Sequence, residues 1–346
     1  MKILYAIQGT GNGHLCRALE IIPHLQQKGE LDILVSGIQG DITLPYPVKY
    51  QLKGLSFIFG KKGGVDVWQT YKKNRLKRFY KEIKGLPVRE YDLVISDFEP
   101  VSSWACFYAH KRCYSLSHQS AVLHPMAPQS TKKDAVGIQI LKTYAPTDYQ
   151  FGFHFKALDQ QVFTPVIRSE IRALNCTDKG YYTVYLPSYS DKKLLKIFNE
   201  FPNYNFQIFS KHNIQSANFG HIKINPINNK GFLKSMANCK GVICGAGFET
   251  PAEALFLKKK VLVIPMKFQY EQQCNATMLH HMGVKVLKNL KKKRIPEIRE
   301  WLKNDIILKI NFPNQTSKII DLLFKHAAEN LPKKSNWKRA PITLDE

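Results

Sequence analysis

The sequence is short of acids. Against 51 lysines and arginines stand 27 aspartates and glutamates, a formal net charge of +24. Such an imbalance implies attraction to something anionic: nucleic acid, phosphorylated small molecules or an acidic lipid surface. Long hydrophobic runs are missing too. No segment approaches the ~18–20 apolar residues of a membrane span. The N-terminus has no basic region followed by a longer apolar stretch, as a secretory signal requires. The seven cysteines stand singly, at 16, 106, 113, 176, 239, 244 and 274. Without C-x-x-C or regular spacing they argue against a zinc site and for reduced thiols in a cytoplasm. There is no internal repeat and no low-complexity tract, and nothing matches a helix-turn-helix, zinc finger or RNA-recognition signature, so charge alone speaks for nucleic acid.

What is present is alternation. A chain of 346 residues with 44% apolar content can fill two domains. In the first half, apolar runs such as "DILVSG" (32–37), "YDLVISD" (91–97) and "RCYSLSH" (112–118) are separated by helical stretches. The second half repeats the habit with "YYTVYLP" (181–187), "NFQIFS" (205–210), "GVICGAG" (241–247) and "KVLVIP" (260–265). Strand–helix alternation on this scale predicts parallel sheets with helices on both faces. We expect an α/β protein of two doubly wound, Rossmann-like domains facing across a cleft: residues 1–163, a linker at 164–180 where the alternation pauses, and residues 181–330. A tail, 331–346, is expected either to strap back onto the first domain or to stay loose.

The N-terminal stretch "QGTGNGH" joins a buried strand to a helix whose Leu15, Leu19, Ile22 and Leu25 share one face. Pro23 is expected to kink that helix. Gly9, Thr10, Gly11, Asn12 and Gly13 form a glycine-rich loop at the helix mouth, followed by His14. Bare backbone there suits a phosphate, but the spacing fits neither the dinucleotide fingerprint nor a P-loop. A plain tight turn is the competing reading. Asp97, at a strand's end, can serve chemistry or simply cap the next helix.

The richest segment is "CGAGFETPAEALFLKKKVLVIPMKFQYEQQCNA" (244–276). It reads as strand, glycine loop, helix, strand, loop, helix. Gly245, Gly247 and Phe248 lie in the first loop. Thr250 stands at the helix start, where a hydroxyl can cap or bind a phosphate, with Pro251 at a fitting position. Glu253 is either a capping-box partner of Thr250 or a carboxylate for two sugar hydroxyls. Gln269, Glu271, Gln272 and Gln273 gather at a second helix start beyond a strand's C-terminal end, where ligands of open α/β sheets collect. Together they suit sugar hydroxyls.

Residues 241–276 resemble the donor-binding motif of GT-B glycosyltransferases. They are similar to the N-acetylglucosaminyltransferase family that forms lipid II and to the plant-type UDP-sugar transferases, with Gly247, Thr250, Glu253, Glu271-Gln272-Gln273 and Asn275-Ala276 in order and spacing. The opening Gly-x-Gly-x-Gly-His matches the family's first-domain loop. "SDFEP" and "LSHQ" are shared with a bacterial and archaeal subgroup. The resemblance implies phosphate contact by Thr250, ribose contact by Glu253, and a donor sugar held by Glu271, Gln272 and Gln273. It implies His14 as base with Asp97 behind it, and His118 and Gln119 on the acceptor side. One departure stands out: Glu249 replaces the asparagine of the plant-type enzymes, and an acid there repels a diphosphate unless it points away or finds a cation.

The resulting expectation is an inverting transfer from a nucleotide-diphosphate sugar, most often UDP, to the hydroxyl of a glycan or lipid-linked acceptor. No metal or further cofactor is expected, since no Asp-x-Asp tract is present. A sugar-nucleotide 2-epimerase of the same architecture is the alternative enzyme. Two basic runs, 72–84 and 285–309, read as solvated helix faces, and the aromatic helix 68–84 carries Leu76, Phe79, Tyr80 and Ile83 on one face, which means core contact or, if that face looks outward, a peripheral anchor on an anionic inner membrane face.

Overall fold

A computed structural model describes residues 1–37, 43–55, 76–132, 134–211 and 213–330. The tail 331–346 and most of the segment 54–75 lie outside the described residues.

Two seven-stranded sheets carry the fold. The first contains β1 (Lys2–Gln8), β2 (Glu30–Ser36), β3 (Tyr50–Leu52), β4 (Leu93–Asp97), β5 (Cys113–Ser117), β6 (Tyr149–Phe153) and β7 (Val162–Phe163). Its order is β3-β2-β1-β4-β5-β6-β7, parallel throughout. The second contains β8 (Tyr181–Tyr185), β9 (Asn205–Ser210), β10 (Ala217–Phe219), β11 (Ile222–Pro226), β12 (Gly241–Gly245), β13 (Lys260–Ile264) and β14 (Lys285–Val286). Its order is β10-β11-β9-β8-β12-β13-β14, and only the edge strand β10 runs antiparallel.

The strands form because they are buried on both sides. In β1, Ile3, Tyr5 and Ile7 point into one core and Leu4 and Ala6 into the other, which is why it reads as a continuous apolar run. One core cluster is continuous between the lobes. It joins Ile3, Tyr5 and Ile7 through Phe155 and Val166 to Phe248, Val242 and Cys244.

Both sheets reverse their strand order once, at β1/β4 and at β8/β12. The crevice beyond such a reversal is where open α/β sheets bind ligands. The glycine loop after β1, Asp97 at the end of β4 and the loop after β12 all open there.

The first helix runs Asn12–Gln26 with Pro23 inside it. Two features differ from the sequence expectation. Helices at His118–Val122, Ala135–Thr143 and Ile295–Lys303 had no clear periodic signal. The helix Thr316–Glu329, expected in the second domain, lies on the first. Its Asp321 pairs with Lys28 at 2.6 Å, and the His326 ring meets Tyr114, Tyr149 and Phe151.

Candidate active site

The first lobe supplies a network of charges at the mouth of its first helix. Gly9 is packed tight: its N–H donates to Ser36 O at 2.6 Å, and a Cβ would meet Val35 at 2.9 Å. Gly11 caps the helix with φ of 96°, no side-chain cap, and open space where a Cβ would stand. The turn therefore needs glycine and leaves helix-start N–H groups exposed.

One turn in, His14 Nδ1–H donates to Asp97 Oδ1 at 2.8 Å. Arg17, 2% exposed, grips the same carboxylate: Nη2 lies 2.7 and 2.9 Å from its two oxygens and Nε donates to Oδ2 at 3.2 Å. Burial alone would raise the Asp97 carboxyl; Arg17 and His14 outweigh it and hold it below the ordinary carboxylate value. Asp97 does not cap the following helix. Glu99 does, accepting from the N–H groups of Val101 and Ser102 at 2.7 and 2.6 Å. Phe98 between them has φ of 56°, a left-handed turn costing about 1–3 kcal/mol. It lets two successive acids point to different tasks.

The second lobe reaches the same network. The helix Glu249–Phe256 opens on Glu249, whose carboxylate accepts from Arg17 Nη1. The acid that would have repelled a diphosphate has found its cation on the other lobe. Burial pushes Glu249 up to about 7, because Arg17 is shared with Asp97 while Glu253 and Asp97 repel it. Glu271 faces the first lobe, accepting from Gln119 Nε2 at 3.1 Å. The same amide nitrogen lies 3.5 Å from His14 Nε2. Burial raises the Glu271 carboxyl, and the Gln119 bond opposes it.

A family model described as "Glycosyl transferase family 1" matches residues 1–304. The chain belongs to this family. It is a glycosyltransferase with the two-domain GT-B architecture. No curated protein matches it in sequence. Among solved structures it is similar in fold to Acinetobacter baumannii MurG, with 15% identity, 94% of this chain and 100% of that one covered, and a TM-score of 0.56. Arabidopsis thaliana UGT89C1 complexed with quercetin gives 11%, 96% of each chain and 0.57. A putative UDP-N-acetylglucosamine 2-epimerase from Listeria monocytogenes gives 11%, 98% and 100%, and 0.55.

For a glycosyltransferase, the second-lobe residues fall into two sets. Gly247 borders open space. Thr250 is half-buried and has no side-chain hydrogen bond among the described residues. The capping box is not formed. The Glu253 carboxylate instead accepts a fork from Arg168, with Nε at 2.6 Å and Nη2 at 3.0 Å, so ribose hydroxyls are left only the outer lone pairs. Burial still raises its carboxyl despite Arg168. Gln272 and Gln273 hold the loop after β13, through Met266 N–H to Gln272 Oε1 and Gln273 Nε2 to Met266 O, both at 2.9 Å. The amide cluster therefore staples backbone, and Glu271 is its member that faces the cleft.

His118 is a correction. It was expected to meet an acceptor, yet it is 1% exposed. Its Nδ1 lies 2.8 Å from Phe153 O and its Nε2 2.8 Å from the Asn275 amide. The ring stacks on Phe248, centroids 3.9 Å apart and nearly coplanar. Burial holds it well below the usual histidine value, so it is a neutral plate between the lobes. Phe248, expected in the donor loop, is the other plate. Arg17 and Arg168 were missed in the sequence, since nothing local marks a buried arginine. Among the described residues no three His, Cys, Asp or Glu side chains converge as a metal site.

Proposed function

We propose that the protein transfers a sugar, with inversion, from a nucleotide-diphosphate sugar of the UDP class to an acceptor hydroxyl on a lipid-linked or envelope glycan. The observation that supports this most is the His14–Asp97 pair, which stands across the cleft from the open Gly247–Thr250 helix start. With Nδ1–H given to Asp97, His14 keeps its Nε2 lone pair on the side of Gln119 and Glu271. That nitrogen takes the acceptor's proton as its oxygen bonds to the anomeric carbon. The bond to the diphosphate breaks, and its charge is received by Thr250 and by helix-start N–H groups. Glu271 and Gln119 hold sugar hydroxyls on the two sides.

A thermal-shift series with UDP-, GDP- and dTDP-sugars tests the donor, since ligand binding raises apparent stability by mass action. A rise with none of them refutes the reading.

An acidic membrane surface is the proposed partner of one face of the first lobe. On the helix Leu76–Gly85, Phe79 and Ile83 are buried while Leu76 and Tyr80 face out. Tyr80 (48% exposed) joins Phe107 (51%), Tyr108 (52%) and Trp104. Lys84 sits 4.6 Å over the Tyr80 ring, and Arg89 lines a hollow of about 430 Å³ beside it. Aromatic bodies rimmed by cations suit the lipid interface. Co-sedimentation with phosphatidylglycerol vesicles but not with phosphatidylcholine vesicles is the expected result.

A further inference from the structure

Three charges crowd the His14 ring, and they do not come from one lobe. Asp97 Oδ1 accepts from His14 Nδ1 at 2.8 Å and from Arg17 Nη2 at 2.7 Å. Arg17 Nη2 itself lies 3.2 Å from His14 Nδ1. Within the first lobe, then, the negative charge behind the imidazole is opposed by a guanidinium nitrogen only 3.2 Å from the ring. An imidazolium formed there would have no net negative charge to hold it. The missing charge arrives from the second lobe, where the Glu249 carboxylate bonds the free end of the same guanidinium. Above about pH 7, where Glu249 is ionised, Asp97, Arg17 and Glu249 together leave one net negative charge beside His14, and the test below is run there.

The first lobe is shaped to admit this carboxylate. A Cβ on Gly13 would lie 3.1 Å from Glu249 Cγ, so the third glycine of the loop is the clearance for Glu249. Glu249 is 15% exposed and Arg17 2%. Water screens such a contact little.

We propose that Arg17 and Glu249 are positioning residues that couple the use of His14 as a base to contact between the lobes. This rests on the reading of His14 as the base. Arg17 silences Asp97 while the lobes are apart, and Glu249 silences Arg17 when they meet. The proton-accepting group is complete only around a closed cleft.

The charge count makes the test. Water serves as acceptor. Its oxygen bonds to the anomeric carbon, the carbon–oxygen bond to the diphosphate breaks with its electron pair leaving on the nucleoside diphosphate, and the water proton goes to His14 Nε2. Release of nucleoside diphosphate is measured from UDP-N-acetylglucosamine, UDP-glucose, GDP-glucose and dTDP-glucose, and UDP affinity by calorimetry. Glu249→Gln, which removes the net charge, is expected to lower kcat about tenfold, a part of the roughly 10²–10⁴ that a general base supplies. UDP affinity should hold or tighten, since an acid has left the phosphate region. The double variant Arg17→Met with Glu249→Gln restores one net negative charge and is expected to run about fivefold faster than Glu249→Gln alone, a coupling of the size expected for residues in contact. A bridge that only holds the lobes together predicts a double variant no faster than the single one, and that result overturns the proposal. Should the double variant not fold, Glu249→Asp replaces it: it must retain more activity than Glu249→Gln, and equal losses overturn the proposal. Wild-type protein that neither binds UDP nor releases nucleoside diphosphate from any of the four sugars removes the transferase site and this proposal together. Binding and turnover that Glu249→Gln leaves intact remove this proposal alone.

Discussion

The loop after β1 and the loop after β12 both border the point at which strand order reverses in their sheets, yet they treat charge in opposite ways. The first keeps an arginine buried one turn beyond its glycines, and that arginine fixes both oxygens of Asp97 at the end of β4. The second leaves Gly247 and Thr250 open, and its two acids are drawn aside by cations from elsewhere: Glu249 by Arg17 of the first helix, Glu253 by Arg168 of the connecting segment. Proton transfer needs a side chain held still. A diphosphate needs bare N–H groups and no competing anion. On the proposed reading the two lobes divide the two requirements, with Arg17 and Arg168 holding the second lobe's acids.

The largest effect that would break this comparison is on the first lobe. His14→Ala is expected to lower sugar transfer about 10²–10⁴-fold while UDP affinity measured by calorimetry stays the same; a variant that transfers normally would remove the assignment of acid–base work to this lobe. Next comes the clearing of the second lobe. Arg168→Met strands the buried Glu253 charge and is expected to cost about 3–5 kcal/mol in urea denaturation, with little loss if Glu253 is in truth solvated.

The pH dependence of stability sharpens the contrast between the two carboxylates on Arg17. Asp97 has its folded value lowered, so its contribution is present above the unfolded value and is lost as pH falls. Glu249 is raised to about 7 from 4.5. The folded state therefore holds the extra proton, and stability from this group is full below the unfolded value and declines as pH rises toward 7, by no more than about 3 kcal/mol. Urea midpoints across pH 4.5–7.5 should lose that decline in Glu249→Gln; an unchanged slope assigns it to another group. The smallest effect is Thr250→Ala, expected to weaken UDP binding about fivefold, the size of one hydrogen bond.

Much of this arrangement was legible before the coordinates. The sheets were, because strands covered on both faces announce themselves as apolar runs, as β1, β9 and β13 do. The edge strand β10 and the two-residue β7 were not, since they bury too little to leave a pattern. His14 and Asp97 were paired by the resemblance, whereas the residues alone left Asp97 open as a helix cap; Glu99, two positions on, takes that task, and the left-handed turn at Phe98 separates the two acids. Gln272 and Gln273 looked like sugar ligands because amides serve backbone and hydroxyls equally well. Arg17 falls on a helix position where a solvated arginine is ordinary. Its role depends on Glu249, 232 residues away, and pairing over that distance leaves no local trace.

The chain passes between the lobes twice, once through 164–180 and again through the extended segment before Thr316. These passages are tied to one another, by Gln315 Nε2 to Thr164 Oγ1 at 2.8 Å and Arg172 Nη2 to Phe312 O at 2.9 Å. A single crossing would fix the halves at one point; two bound side by side fix them along a line, which sets how the carboxylate of one half is presented to the guanidinium of the other.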